Sequence, residues 1–220
     1  MPYIDIHTHD AKAQEDVLKV VNIFPWDDFD LVLQEGILYS AGIHPWYIDE
    51  VDVEESTKRI REWLEARKIA AIGETGLDTM RGPEMQIQEE VFLRQVDLSE
   101  EFEVPLIIHC VKAYNEILSL RKRTKAKQPW ILHGFNSSVQ MMRQMTEEGV
   151  FVSLGASLLK NKKLQDVCRE VPGDMFFLET DESGLDVRDI YKKAAGLRGV
   201  PEEELKELVY KSFRKMLSTL

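Results

Sequence analysis

The chain has 220 residues, 44% hydrophobic and 30% charged, the size and make-up of one ordinary globular domain spanning 1–220. A chain of this length buries roughly 70% of its unfolded surface, so a single core suffices. Its 28 basic and 39 acidic residues leave a net charge of −11, which disfavours broad electrostatic adhesion to nucleic acid or to an anionic membrane.

The first β-rich run, YIDIHTH over 3–9, places Asp5, His7 and His9 on one side of a strand, because strand side chains alternate. A second apolar run follows at 17–24. Only seven residues separate His9 from Val17, too few for a crossover helix. The first βα unit is therefore shortened, or the second run is not a parallel neighbour of the first. A third strand is expected over 37–44, ending on His44 in GIHP, then a helix over 53–68. The fourth strand, 69–76, carries Glu74 in GETGLD.

The clearest helix spans 84–103: Pro83 suits an N-terminal position, and Val91, Phe92, Gln95, Val96 and Leu98 recur at helical spacing. Strands at 105–111, 130–135, 149–155 and 175–181 then alternate with helices at 113–126, 137–148 and 161–170. Two helices, 187–196 and 202–218, end the pattern. Eight strands, nearly all followed by helices, predict an α/β fold, a (β/α)8 TIM barrel slightly truncated near the N-terminus. No linker, low-complexity tract or internal repeat marks a second domain.

The N-terminal MPYIDIHTHD has neither the basic region nor the apolar run of a signal peptide. No segment approaches the roughly 20 apolar residues of a membrane span. Cys110 and Cys168 are too few for a disulfide framework or a thiolate zinc site; Cys110 reads as a small packed residue. The expectation is a soluble, cytoplasmic protein without membrane contact.

All five histidines fall at expected strand C-termini: His7, His9, His44, His109 and His133. Barrel enzymes keep their catalytic groups at that end. Glu74 and Asp181 occupy the same kind of position. Glu74 stands in an otherwise apolar strand, where a carboxylate is costly unless paired or bound to metal, and its two oxygens suit it to bridging two cations. Asp181 is read as ligand and general base, with Glu179 a deeper carboxylate that orients a histidine. Four imidazoles and two carboxylates make the ligand set of a binuclear hydrolase. Imidazoles suit Zn²⁺ or Mn²⁺ better than Mg²⁺.

DIHTH, GIHP, GETGLD, the histidines of PLIIHC and ILHGF, and the late LETD together resemble the TatD family of metal-dependent hydrolases, in order from residue 4 to about 181. The resemblance implies a TIM barrel with two divalent ions (Zn, Mn or Mg) and DNase activity, including 3′ exonuclease action. By motif, His7, His9, Glu74 and Asp181 would hold one ion, and Glu74, His109 and His133 the other. His44 would lie at the phosphate site, with a substrate role. The catalytic set implied is Asp181, His44 and Glu74, acting on DNA or another phosphodiester or ester, with no obligate protein partner.

Several positions depart from the family pattern. Val111 stands where the family usually has arginine, with Lys112 beside it, and Glu182-Ser183 replaces a small residue and proline. HCFSG becomes His133-Gly134-Phe135-Asn136-Ser137, and the asparagine common in the C-terminal helix is missing from LVYKSFRKML. These changes make the phosphate pocket less basic, so a small-molecule amidohydrolase or esterase using the same metal pair is the alternative. A non-catalytic barrel is disfavoured, because unpaired buried carboxylates and histidines are costly without metal. The basic run Arg121–Lys127 reads as a solvated helix end on the strand N-terminal face. Trp46 is read either as stacking on a base or as packing its loop; Trp26 and Trp130 read as structural.

Overall fold

The computed structural model describes residues 1–27, 31 and 34–217. Eight strands form one sheet: β1 (Tyr3–Thr8), β2 (Val17–Ile23), β3 (Ile37–Ala41), β4 (Ala71–Asp78), β5 (Leu106–Val111), β6 (Trp130–Leu132), β7 (Val150–Leu154) and β8 (Phe176–Leu178). They pair in sequence order and every pair is parallel. The sheet curls until its ends meet. Thr8 bridges Asp181, the Asp181 N–H donates to the His7 carbonyl at 3.0 Å, and the Asp5 carboxylate accepts from the Thr180 N–H and hydroxyl at 2.9 and 2.6 Å. The result is the expected TIM barrel, nearly closed.

The helices are α1 (Val53–Glu65), α2 (Met85–Phe102), α3 (Tyr114–Thr124), α4 (Val139–Glu147), α5 (Lys162–Glu170), α6 (Val187–Arg198) and α7 (Glu202–Met216). The last residue of the expected C-terminal helix, 218, lies outside the described residues. Asp52, Ser138, Asn161 and Asp186 cap α1, α4, α5 and α6 by accepting backbone N–H groups at 2.9–3.2 Å. Each such cap contributes about 1 kcal/mol. Helices on the outside and side chains within leave all eight residues of β4 buried, which is why its sequence is a continuous run rather than an alternation.

The early truncation is real, and larger than expected. β1 and β2 are parallel neighbours, with Tyr3 opposite Val17, yet the connection between them holds no helix. Among the described residues between β2 and β3 there is none either. Three strands also stop earlier than the apolar runs imply. β3, β6 and β8 end at Ala41, Leu132 and Leu178, so His44, His133 and Asp181 lie in loops just beyond, while Glu74 and His109 sit within β4 and β5. Isolated bonds continue the ladder there: the His133 N–H reaches the Ile108 carbonyl at 3.1 Å, and the Glu179 N–H the Leu154 carbonyl at 3.3 Å.

The basic run does fall at the opposite face. Arg121 donates to the carbonyls of Glu148 and Gln128 at 3.2 and 2.9 Å, tying the end of α3 to the start of β6. Cys110 is buried, and burial pushes its thiol up to about 12, as befits a packing residue.

Candidate metal centre

Two glycines let β4 press against β5. Gly73 and Gly76 have φ of +150° and +148°, and a Cβ on them would lie 2.5 Å from the Ile107 carbonyl oxygen and 2.0 Å from that of His109. Only glycine tolerates this approach. Glu74, held between them, is thereby set against His109. Its backbone N–H donates to Asn22 Oδ1 on β2 at 2.6 Å, so three strands fix one carboxylate.

That carboxylate is the hub of the site. Glu74 Oε1 lies 2.8 Å from His109 Nδ1, 2.7 Å from His133 Nε2 and 3.1 Å from His44 Nε2. Glu74 Oε2 faces the other way, 3.5 Å from His7 Nε2 and 3.9 Å from His9 Nε2. Asp181 Oδ1 stands 3.7 Å from both of those nitrogens. All seven residues singled out from the sequence therefore meet in one cluster. His7 is fully buried, His9 about a quarter exposed, and Asp181 43% exposed, so Asp181 opens toward solvent. Asp181 has φ of +51°, a left-handed conformation that aspartate tolerates better than most residues.

Hydrogen bonds behind the ring assign the tautomers. His44 Nδ1 accepts from the Trp46 N–H at 3.1 Å, so a neutral His44 carries its proton on Nε2 and presents a donor. Burial holds His44 below its ordinary pKa, keeping it neutral. His109 is the reverse: Nε2 faces Asp78 Oδ2 at 3.2 Å, an acceptor that claims the proton and leaves the Nδ1 lone pair aimed inward. His133 Nδ1 faces Glu179 Oε1 at 3.7 Å, longer than a hydrogen bond, with Glu179 itself anchored by the Gly134 N–H at 2.6 Å.

Burial opposes ionisation of Glu74, but His133, His109 and His44 outweigh it and hold the carboxyl well below the usual range. Burial likewise depresses His133, yet Glu74 and Glu179 more than offset this and raise it well above its ordinary value. His7 is pulled well below by burial and is neutral.

The residues fit divalent cations. Both ring nitrogens of His7 are buried without a hydrogen-bond partner, a costly state that metal ligation relieves. Three groups have ligand atoms within 4.8 Å of one another: His7, His9 and Asp181; His7, Glu74 and His133; and His44, Glu74 and His109. His44 thus stands among the ligand groups by distance, while its tautomer makes Nε2 a donor.

Asp5, in register with the histidines of β1, is spent on closing the barrel through Thr180. Asp78 was missed. It orients His109, accepts from Trp46 Nε1 at 2.5 Å and is only 3% exposed. The signal for it was a second buried acid four residues after Glu74 in GETGLD. Trp46 packs its loop: its ring meets those of His44 and His109 edge-on, at 4.8 and 5.4 Å between centroids.

A parallel barrel with imidazoles and carboxylates converging at its mouth has the make-up of a metal-dependent hydrolase centre. The family model described as TatD related DNase matches residues 28–218, and the chain belongs to that family. The metal-dependent hydrolase YabD of Bacillus subtilis strain 168 is 33% identical over 159 residues, 69% of this chain and 61% of YabD. The 3′-5′ ssDNA/RNA exonuclease TatD of Erwinia tasmaniensis is 28% identical over 175 residues, 74% of this chain and 64% of that protein. The chain thus spans less than two thirds of either relative's length. Among solved structures, the TatD homologue YjjV of Escherichia coli K12 superposes with a TM-score of 0.81 over 97% of both chains at 19% identity, a likeness of fold. No helix among the described residues is long and apolar enough to cross a membrane.

Proposed function

We propose that the protein hydrolyses phosphodiester bonds of single-stranded DNA, releasing nucleotides from the 3′ end, with two divalent ions that Glu74, His7, His9, His109, His133 and Asp181 would hold. The observation that carries this reading is the division of labour within one carboxylate: Oε1 faces His109 and His133, and Oε2 faces His7 and His9. Divalent cations bound there would lower the pKa of water to roughly 7 and offset negative charge growing on phosphoryl oxygens. Asp181, the most exposed carboxylate of the cluster, takes the proton of the attacking water and passes it to solvent. His44, with its proton on Nε2, donates to a phosphate oxygen. The exonuclease named among the relatives supports the substrate class.

The test is nucleotide release from a single-stranded DNA oligomer with Mg²⁺, Mn²⁺ or Zn²⁺, beside Asp181→Asn. Metal-dependent release from the 3′ end that the variant loses is the expected result. Metal bound in stoichiometric amount with no release by the parent protein refutes it.

One observation favours a second reading, a small-molecule esterase or amidohydrolase. A cavity of about 320 Å³ adjoins Asp181 and is lined by Asn136, Ser157, Glu179, Glu182 and Ser183, with no lysine or arginine. Such a wall suits a neutral or cationic group. A panel of phosphodiester, carboxyl ester and amide substrates separates the two.

A further inference from the structure

The loops that follow the strands contain a single arginine. Between β4 and α2, residues 79–84 supply Arg81; the other such loops supply only the lysines Lys12, Lys112 and Lys160. Among the described residues the Arg81 guanidinium makes no hydrogen bond and no ion pair. It lies on the face of Trp46, 4.1 Å from the ring centroid. Its charge is left unpaired although acids outnumber bases by 39 to 28. Glu84 and Glu116 line the same hollow of about 430 Å³, and neither pairs with it.

The placement is built rather than accidental. Asp78 Oδ1 accepts the N–H groups of Met80 and Arg81 at 2.7 and 3.2 Å. Buried Gln88 donates from Nε2 toward the carbonyls of Asp78, Arg81 and Pro83 at 3.0, 3.3 and 2.8 Å. Gly82 (φ +93°) is pressed so close to Pro45 that a Cβ would lie 2.4 Å from its carbonyl oxygen. The loop bearing Arg81 and the loop bearing Trp46 are therefore one unit, and Asp78 ties that unit to His109. Trp46 touches both the guanidinium and the rings of His44 and His109.

A stacked guanidinium keeps its in-plane donors free, and their fork matches phosphate. We propose that Arg81, laid on Trp46, binds the phosphate next to the one hydrolysed, and so sets which way a strand crosses the barrel mouth. The opposite flank, beside Asp181, carries Glu179 and Glu182 and no lysine or arginine, so Arg81, beside Glu84 and Glu116 of its own hollow, supplies a guanidinium that the other flank lacks. The proposal rests on the phosphodiester reading for the identity of the anion, not for the existence of an anion site.

The experiment is calorimetric titration of the purified, metal-loaded protein with two slowly hydrolysed phosphorothioate thymidine trinucleotides. In the second, the linkage adjoining the 3′-terminal one is an uncharged methylphosphonate. The parent protein is expected to bind the fully charged ligand roughly tenfold more tightly, the scale of one charge-assisted contact. Arg81→Gln should bind both equally at the weaker level, and Arg81→Lys should fall between. Arg81 is exposed, so these variants fold, which thermal melting checks. A parent protein with no preference, or binding neither ligand, overturns the proposal, as does an Arg81→Gln variant that keeps the preference. If the Arg81 signature is found but the parent cleaves no phosphodiester, the hydrolytic reading fails and the anion site stands.

Discussion

Replacing Gln95 by leucine keeps the volume of a buried side chain while deleting the bonds that hold a site loop and the strand β4 to one helix. Gln95 on α2 is fully buried. Its Oε1 accepts the Ile43 N–H at 2.8 Å, and its Nε2 lies 2.6 Å from Thr75 Oγ1 and 3.2 Å from the Ile43 carbonyl. Ile43 precedes His44 and Thr75 follows Glu74. Leucine leaves the buried Ile43 N–H without an acceptor, which costs about 1–3 kcal/mol. The Thr75 hydroxyl and Ile43 carbonyl lose a donor and add a smaller amount, for a total of about 2–4 kcal/mol. For a chain of this size each kcal/mol lowers Tm by about 2–4 °C, so a fall of roughly 5–15 °C is expected. Melting should be run in chelator, because bound metal would mask part of the loss. Gln86→Ala, on the exposed face of the same helix, should stay within about 0.5 kcal/mol. Equal Tm values for Gln95→Leu and the parent would refute the claim that these bonds organise the site.

Asp78→Asn should weaken metal binding by about 10–100-fold in a competitive chelator titration, because the proton of His109 is no longer claimed by a carboxylate on Nε2; unchanged affinity would remove Asp78 from the site. Tyr3 and Tyr114 are both pushed up to about 12, Tyr3 chiefly by the hydroxyl's bond to Glu202 and Tyr114 chiefly by burial. The unfolded chain therefore loses these protons near pH 10 while the folded chain keeps them, so stability falls as pH rises from about 10 to 12. Urea midpoints across that window should drop, and Tyr3→Phe should flatten the slope; a midpoint constant to pH 12 would contradict the assigned shifts.

The strand and helix pattern was legible because it is local. Apolar runs such as PLIIHC and the helical spacing of Val91, Phe92 and Gln95 report burial along one element. The chemistry was legible too, since imidazoles and acids at the ends of such runs have few other uses. What the chain order hides is who stands behind whom. Asp78 is an ordinary acid in the sequence and becomes the partner of His109 only when β4 lies against β5. Gln88 looks like a helix polar residue until α2 packs on the strand ends, and Gln95, although on the apolar face, finds its partners Ile43 and Thr75 only there. Trp46, open in sequence to base stacking or loop packing, has a guanidinium on one face.

By itself, then, the sequence determined the element order, the absence of room for an early crossover helix, and the set of side chains able to hold a divalent cation. Tertiary structure alone decided the closure of β1 on the segment after β8 through Thr8 and Asp181. It also decided the proton positions on His44 and His109 and which oxygen of Glu74 faces which pair of histidines. The reason is physical: burial patterns are written in one dimension, whereas the tautomer of His109 and the surroundings of Glu74 depend on groups about 30 to 65 residues apart in sequence being brought within a few ångströms.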